Sequence, residues 1–135
     1  MAKFLFAPLV NPTVESARVG TKAAPLKDED AGKLLTLATG VGSGSRLELA
    51  GDGDEIFGAL SSIESGTQDG FKIGGVVTDG YLNVDTTDCA VGDVVVVSSN
   101  PASGTKGKTI VKKATDATLI VQKWQVVEVG VIRKV

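Results

Sequence analysis

The stretch VVTDGYLNV, Val76 to Val84, sets two runs of apolar and β-branched residues on either side of Asp79-Gly80. Asp-Gly suits the centre of a tight type I′ turn because both residues tolerate positive φ. The stretch is therefore predicted as a β-hairpin. Downstream, DVVVVSS (Asp93–Ser99) is a nearly continuous β-branched run, expected to be central in a sheet or buried on both faces. TIVKKA, TLIVQKW and QVVEVGVIRKV complete the chain as further strands. Upstream, KLLTLA (Lys33–Ala38), SRLEL (Ser45–Leu49), IFGALSSI (Ile56–Ile63) and FKIGGVV (Phe71–Val77) read the same way, separated by Gly-rich turns. Only PLKDEDAGKL, Pro25 to Leu34, leaves room for a short turn of helix. About eight strands at this spacing predict an all-β fold: a small antiparallel β-barrel or β-sandwich.

The first thirty residues differ. They hold Pro8, Pro12 and Pro25, three of the chain's four prolines, and show no sustained period. Proline fixes φ and pushes its predecessor into extended backbone. The segment nonetheless carries Phe4, Leu5, Phe6, Leu9 and Val10, more apolar bulk than a solvated tail requires. Such a terminus either folds back on its own domain or lies along another subunit, and the prolines favour the second. The organisation expected is an extended N-terminal arm over residues 1–30 and a β-barrel or sandwich domain over 31–135, with those five apolar residues as contacts to a larger assembly. Deleting Met1 to Lys27 is then expected to leave a folded domain that has lost its binding.

Composition narrows the chemistry. The 135-residue chain has no histidine and a single cysteine, Cys89. That removes the commonest general base and metal ligand, any internal disulfide and any multi-cysteine metal site. Cys89 sits among Asp85, Asp88 and Asp93, a setting that discourages a reactive thiolate. The net charge of −2 conceals two blocks: Arg46–Asp93 carries ten acids against two bases, and Val94–Val135 seven bases against two acids. Either these blocks mix in space as solvated turns, or the molecule is bipolar and docks on copies of itself or on a partner of mixed charge. Overall acidity and the lack of interleaved aromatics disfavour nucleic acid as a partner. No run approaches the ~18 apolar residues of a membrane helix, and MAKFLFAPLV is too short for a secretory signal.

Three motifs invite a catalytic or ligand-binding reading. ASGTKGKT, Ala102 to Thr109, has the spacing of a phosphate-binding loop, but that loop must open a helix, and TIVKKATDATLIV favours strand. GVGSGS (Gly40–Ser45) lacks a following helix, and GDGDE (Gly51–Glu55) lacks the later ligands of a calcium loop. No Gly-x-Ser-x-Gly elbow is present, and a Ser-His-Asp triad has no histidine to use. The residues thus offer no catalytic, cofactor-binding or metal site.

In order along the chain stand the apolar arm, GKLLTLATG (32–40), GDGDEIFGALSSIESGTQDGFKIGGVV (51–77) and CAVGDVVVVSSN (89–100). Together they resemble the capsid cement, or head decoration, proteins of tailed bacteriophages. The resemblance covers residues 32–135 and rests on strand-and-turn texture. It implies a non-enzymatic β-barrel or sandwich, made in the host cytoplasm, that adds to the outside of an assembled shell. Its implied partners are the phage major capsid protein, where subunits meet, and itself, as homodimer or homotrimer. The other reading is an adhesive or carbohydrate-binding β-domain of a phage tail or surface fibre, for which Trp124 and Tyr81 are the aromatics suited to stack on sugar.

Overall fold

The computed structural model describes residues 13–20, 26–38, 46–68, 71–99 and 109–135. Eleven strands lie among them and no α-helix, so the all-β reading holds. The first five are β1 (Thr13–Val19), β2 (Leu34–Leu37), β3 (Arg46–Leu49), β4 (Gly58–Gln68) and β5 (Phe71–Asp79), and they close into a barrel in the order β1-β3-β2-β4-β5. The remaining six are β6 (Tyr81–Asn83), β7 (Asp85–Asp88), β8 (Val94–Ser99), β9 (Ile110–Lys113), β10 (Trp124–Glu128) and β11 (Val131–Lys134). They form a second sheet in the order β6-β11-β10-β8-β9-β7. Most neighbours are antiparallel; β1 with β3 and β7 with β9 are parallel.

The period of two along a strand explains how one strand serves both the barrel interior and a second core shared with the other sheet. In β2, Leu35 points into the barrel with Val19, Leu47, Leu60 and Val76, whereas Leu34 points outward. There Leu34 meets Val95, Val97, Trp124 and Ile132 of the second sheet. β4 repeats the device, with Leu60 inside the barrel and Ala59 in the shared core. A strand buried on both faces reads as a continuous apolar run, which is why KLLTLA stands out. β8 is interior to its sheet, between β10 and β9, and alternates: Val95 and Val97 are buried, Val94 and Val96 half-buried. Gly58 is required where β4 crosses β5, because a Cβ there would overlap the carbonyl oxygen of Val77.

Asp79-Gly80 does not make a hairpin. β5 pairs with β1 and β4, while β6 pairs with β11, so the turn carries the chain from barrel to second sheet. Gly80 takes φ 105° and donates its N–H to the Asp79 carboxylate at 2.8 Å. The positive φ of Gly80 was legible, but Asp79 ends β5 and the chain only bends at Gly80, because strand partners are long-range. Immediately beyond, β6 and β7 are separated only by Val84 yet occupy opposite edges of the sheet. The sheet must therefore curl until its edges meet. Val84 N–H donates to Gly130 C=O at 3.0 Å, and Asp85 N–H to Thr109 C=O at 2.9 Å, stitching them together.

Two further segments depart from the sequence reading. TLIVQKW is not a strand until Trp124; a 3-10 turn over Ala117–Leu119 precedes it, capped by Asp116, whose carboxylate accepts from Thr118 N–H at 3.0 Å. QVVEVGVIRKV is two strands, folded back at Val129-Gly130 with Gly130 at φ 82°. Of the 1–30 segment, Phe4, Leu5, Phe6, Leu9 and Val10 lie outside the described residues. Thr13–Val19 is extended, as β1, and is built into the barrel wall along β5. Leu26 is buried in the barrel core, and Lys33 donates to Asp30 at 2.8 Å with both side chains about 8% exposed.

Candidate functional site

The surface beside β1 collects most of the exposed apolar character of the barrel. β1 pairs with β5 along its whole length but with β3 only through Arg18↔Arg46 and Val19↔Leu47. Over Thr13–Ala17 the described residues give β1 a ladder on the β5 side alone, and Thr13 to Ser16 are exposed. A cleft of about 320 Å³ opens between this edge and the β2–β3 ladder, with Ala17, Leu37, Leu47, Phe57 and Val76 in its wall. Glu15 stands at the cleft, and Arg46 crosses it to donate to Gly20 C=O and Glu48, both at 3.4 Å.

A second hollow, about 420 Å³, continues from the first because Leu37 and Phe57 line both. Its far side is the turn before β10, where Val121 is 87% exposed. That turn is held against the barrel by Gln122 N–H, which donates to Glu55. Leu37, half exposed at 52%, thus joins two apolar hollows into one groove. Large apolar side chains rarely sit exposed in a row on a monomer without an interaction to serve.

The residues singled out by motif are engaged in the fold. Residues 102–108 of the ASGTKGKT stretch lie outside the described residues. Thr109, where a phosphate-binding loop would present a hydroxyl to Mg²⁺, is buried, and its Oγ1 accepts from Leu34 N–H at 3.4 Å. β9 starts at the next residue, so no helix N-terminus faces a phosphate there. In GDGDE, Asp54 accepts from Gly51 N–H at 2.7 Å, Asp52 pairs with Lys112 at 2.9 Å, and Glu55 holds Gln122. The Asp52–Lys112 pair also joins the acidic and basic blocks of the sequence in space. Among the described residues, no three His, Cys, Asp or Glu side chains converge as metal ligands would.

Cys89 lines a separate hollow of about 380 Å³ with Thr86, Val91 and Val129. Burial pushes its thiol pKa up, and Asp93, Asp88 and Asp85 push it further, so the nucleophilic thiolate is scarce at neutral pH. Trp124 is fully buried in the shared core, and its indole N–H has no hydrogen-bond partner among the described residues. Of the two aromatics suited to stack on sugar, Tyr81 alone reaches the surface, with the Arg133 guanidinium 5.9 Å from its ring centre.

Composition alone marked the apolar arm. Leu37, Phe57 and Val121 were not legible as surface residues: each sits in a run that reads as strand. Their one signal is apolar bulk left over once alternation is satisfied, as in LIV, Leu119 to Val121. No helix among the described residues is long and apolar enough to cross a membrane. No family model, curated protein or solved structure matches the chain.

Proposed function

We propose that the protein is a structural virion component that binds the outside of an assembled phage capsid and cements neighbouring major capsid subunits. The observation that carries this reading is the exposed apolar groove along Leu37, Phe57 and Val121, beside the strand to which the apolar arm is attached. The sequence resemblance to cement proteins points the same way. A β body whose barrel and second sheet pack through a shared core suits a place between neighbours, while the arm offers Phe4, Phe6 and Leu9 for burial on a partner. Each Å² of apolar area removed from water contributes roughly 25 cal/mol before ordering costs. Repeated around a shell, modest contacts add through avidity.

Sedimentation of the full chain with expanded capsid shells tests the reading. The informative deletion is Met1–Asn11, which stops short of β1; removing Met1–Lys27 would take β1 and Leu26 out of the barrel. Loss of shell binding with a retained β-sheet circular dichroism spectrum is expected. Failure of the full chain to bind shells, with specific binding on a glycan array, would replace this function by adhesion to carbohydrate.

A further inference from the structure

The edge of β1 and the groove beside it are a built acceptor for one more extended strand. Over Thr13–Ala17 the described residues pair β1 on one side only, and from Glu15 to Ala17 this edge borders an apolar cleft. A strand adding to such an edge gains main-chain hydrogen bonds, and its alternate side chains fall into the cleft. The chain itself carries a segment of matching chemistry. Phe4-Leu5-Phe6 and Leu9-Val10 are extended-type and apolar, and residues 1–12 include Lys3 but no acid. Glu15 and Glu55 stand along the groove. Twelve residues span about 40 Å when extended, enough to leave one barrel and cross to another.

Pro12 bears on whose groove the segment fills. To reach the edge of its own β1 by the shortest route, the chain would reverse at Asn11-Pro12. The tight turns that join antiparallel strands need positive φ at the first or at both central residues. Pro12 is held near −65°, which bars it from the second position of a type I′ turn, and it pushes Asn11 into extended backbone. A two-residue turn back onto the same strand is thereby disfavoured, which favours the groove of a second copy.

We infer that residues Phe4–Val10 of a second copy add to the free edge of β1 and seat apolar side chains in the Leu37–Phe57 groove, so that copies exchange arms. This assignment does not depend on the capsid reading. The test uses the full chain carrying Cys89→Ser, with Leu37→Cys combined in turn with Phe4→Cys, Leu5→Cys, Phe6→Cys or Leu9→Cys. After mild oxidation, at least one pair is expected to give reducible covalent dimers or larger species on a denaturing gel. Each single-cysteine variant is expected to remain at monomer mass. Light scattering should find the Cys89→Ser parent oligomeric, and Phe6→Asp or Leu37→Glu should convert it to a folded monomer. A cross-link confined to monomer mass would mean the arm covers its own groove, and a monomeric parent or no cross-link would mean it covers neither; each overturns arm exchange. Cross-linked oligomers that ignore capsid shells would leave arm exchange standing and remove the cementing function. Shell binding without interchain cross-links would do the reverse, giving the groove or the arm to the capsid protein.

Discussion

The five-stranded barrel and the six-stranded sheet solve closure differently. The barrel's lumen is narrow and filled by Val19, Leu26, Leu35, Leu47, Leu60 and Val76, and its seam between β1 and β3 holds through two residue pairs. In the second sheet one continuous segment, 81–88, supplies both edge strands, and the sheet packs its largest residue, Trp124, against the barrel's outer face. The two edge strands of the sheet are thereby tied to each other through Val84, whereas the barrel leaves Thr13–Ala17 of β1 laddered on one side among the described residues. Stability concentrates at the shared core and interaction capacity at the seam.

The largest effect should come from the shared core. Trp124→Ala is expected to cost about 3–5 kcal/mol, seen as a lowered urea midpoint. Leu34, Ile56 and Ala59 from the barrel side belong to the same core as Trp124, so loss is expected in one cooperative transition. Two separate transitions would show that barrel and sheet are energetically independent, and would break the comparison at its root. Trp124→Phe, which keeps a ring and removes an unpaired N–H, should cost far less.

Next comes the buried pair under the barrel. Asp30→Ala leaves Lys33 charged and buried without its partner, which typically costs about 3 kcal/mol or more. Burial by itself raises the Asp30 pKa; the hydrogen bonds from Lys33 and from Lys27 N–H, with both lysine charges, outweigh it and hold the carboxyl below its ordinary 3.8. A carboxyl depressed on folding contributes stability that is complete above its unfolded pKa and lost as pH falls through its folded pKa. Thermal midpoints should therefore drop more steeply below about pH 4 in the parent than in Asp30→Asn. Equal slopes would remove Asp30 as the source.

Gly58→Ala probes the barrel wall alone. Its new Cβ meets the Val77 carbonyl, and relief of such overpacking typically costs about 1–3 kcal/mol. The cost should appear in stability and in hydrogen exchange of β4 and β5 before that of β10. The smallest effect is Lys112→Ala. The Asp52–Lys112 pair is solvent-exposed, and surface pairs contribute about 0.2–1 kcal/mol. A larger loss would mean that the contact between acidic and basic blocks helps to clasp the two halves.

Strands whose partners sit on both sides were legible from their own residues. KLLTLA, IFGALSSI, FKIGGVV and DVVVVSS became β2, β4, β5 and β8 because continuous or alternating apolar runs are what a half-buried or fully buried strand requires. β1 was not, since Thr13–Val19 lies between Pro12 and Pro25 in a segment with no sustained period, and pairing with β5 and, at its end, β3 recruits it. The Asp116 cap, a local side-chain bond, outcompeted the strand propensity of TLIV. For the candidate site, the arm's apolar bulk could be read directly, whereas the groove along Leu37 and Phe57 could not.

By itself, the amino-acid order determined the all-β class, most strand positions, the positive φ at Gly80 and the apolar character of the leading segment. Those properties follow from φ preferences and from side chains alternating every second residue, both carried by neighbours in the chain. Tertiary structure alone decided that Asp79-Gly80 switches sheets, that 81–88 joins both edges of one sheet, and that exposed Leu37 and Val121, with half-buried Phe57, line one groove. Pairing and exposure depend on residues distant in sequence, and no local preference encodes which distant edge a strand will meet.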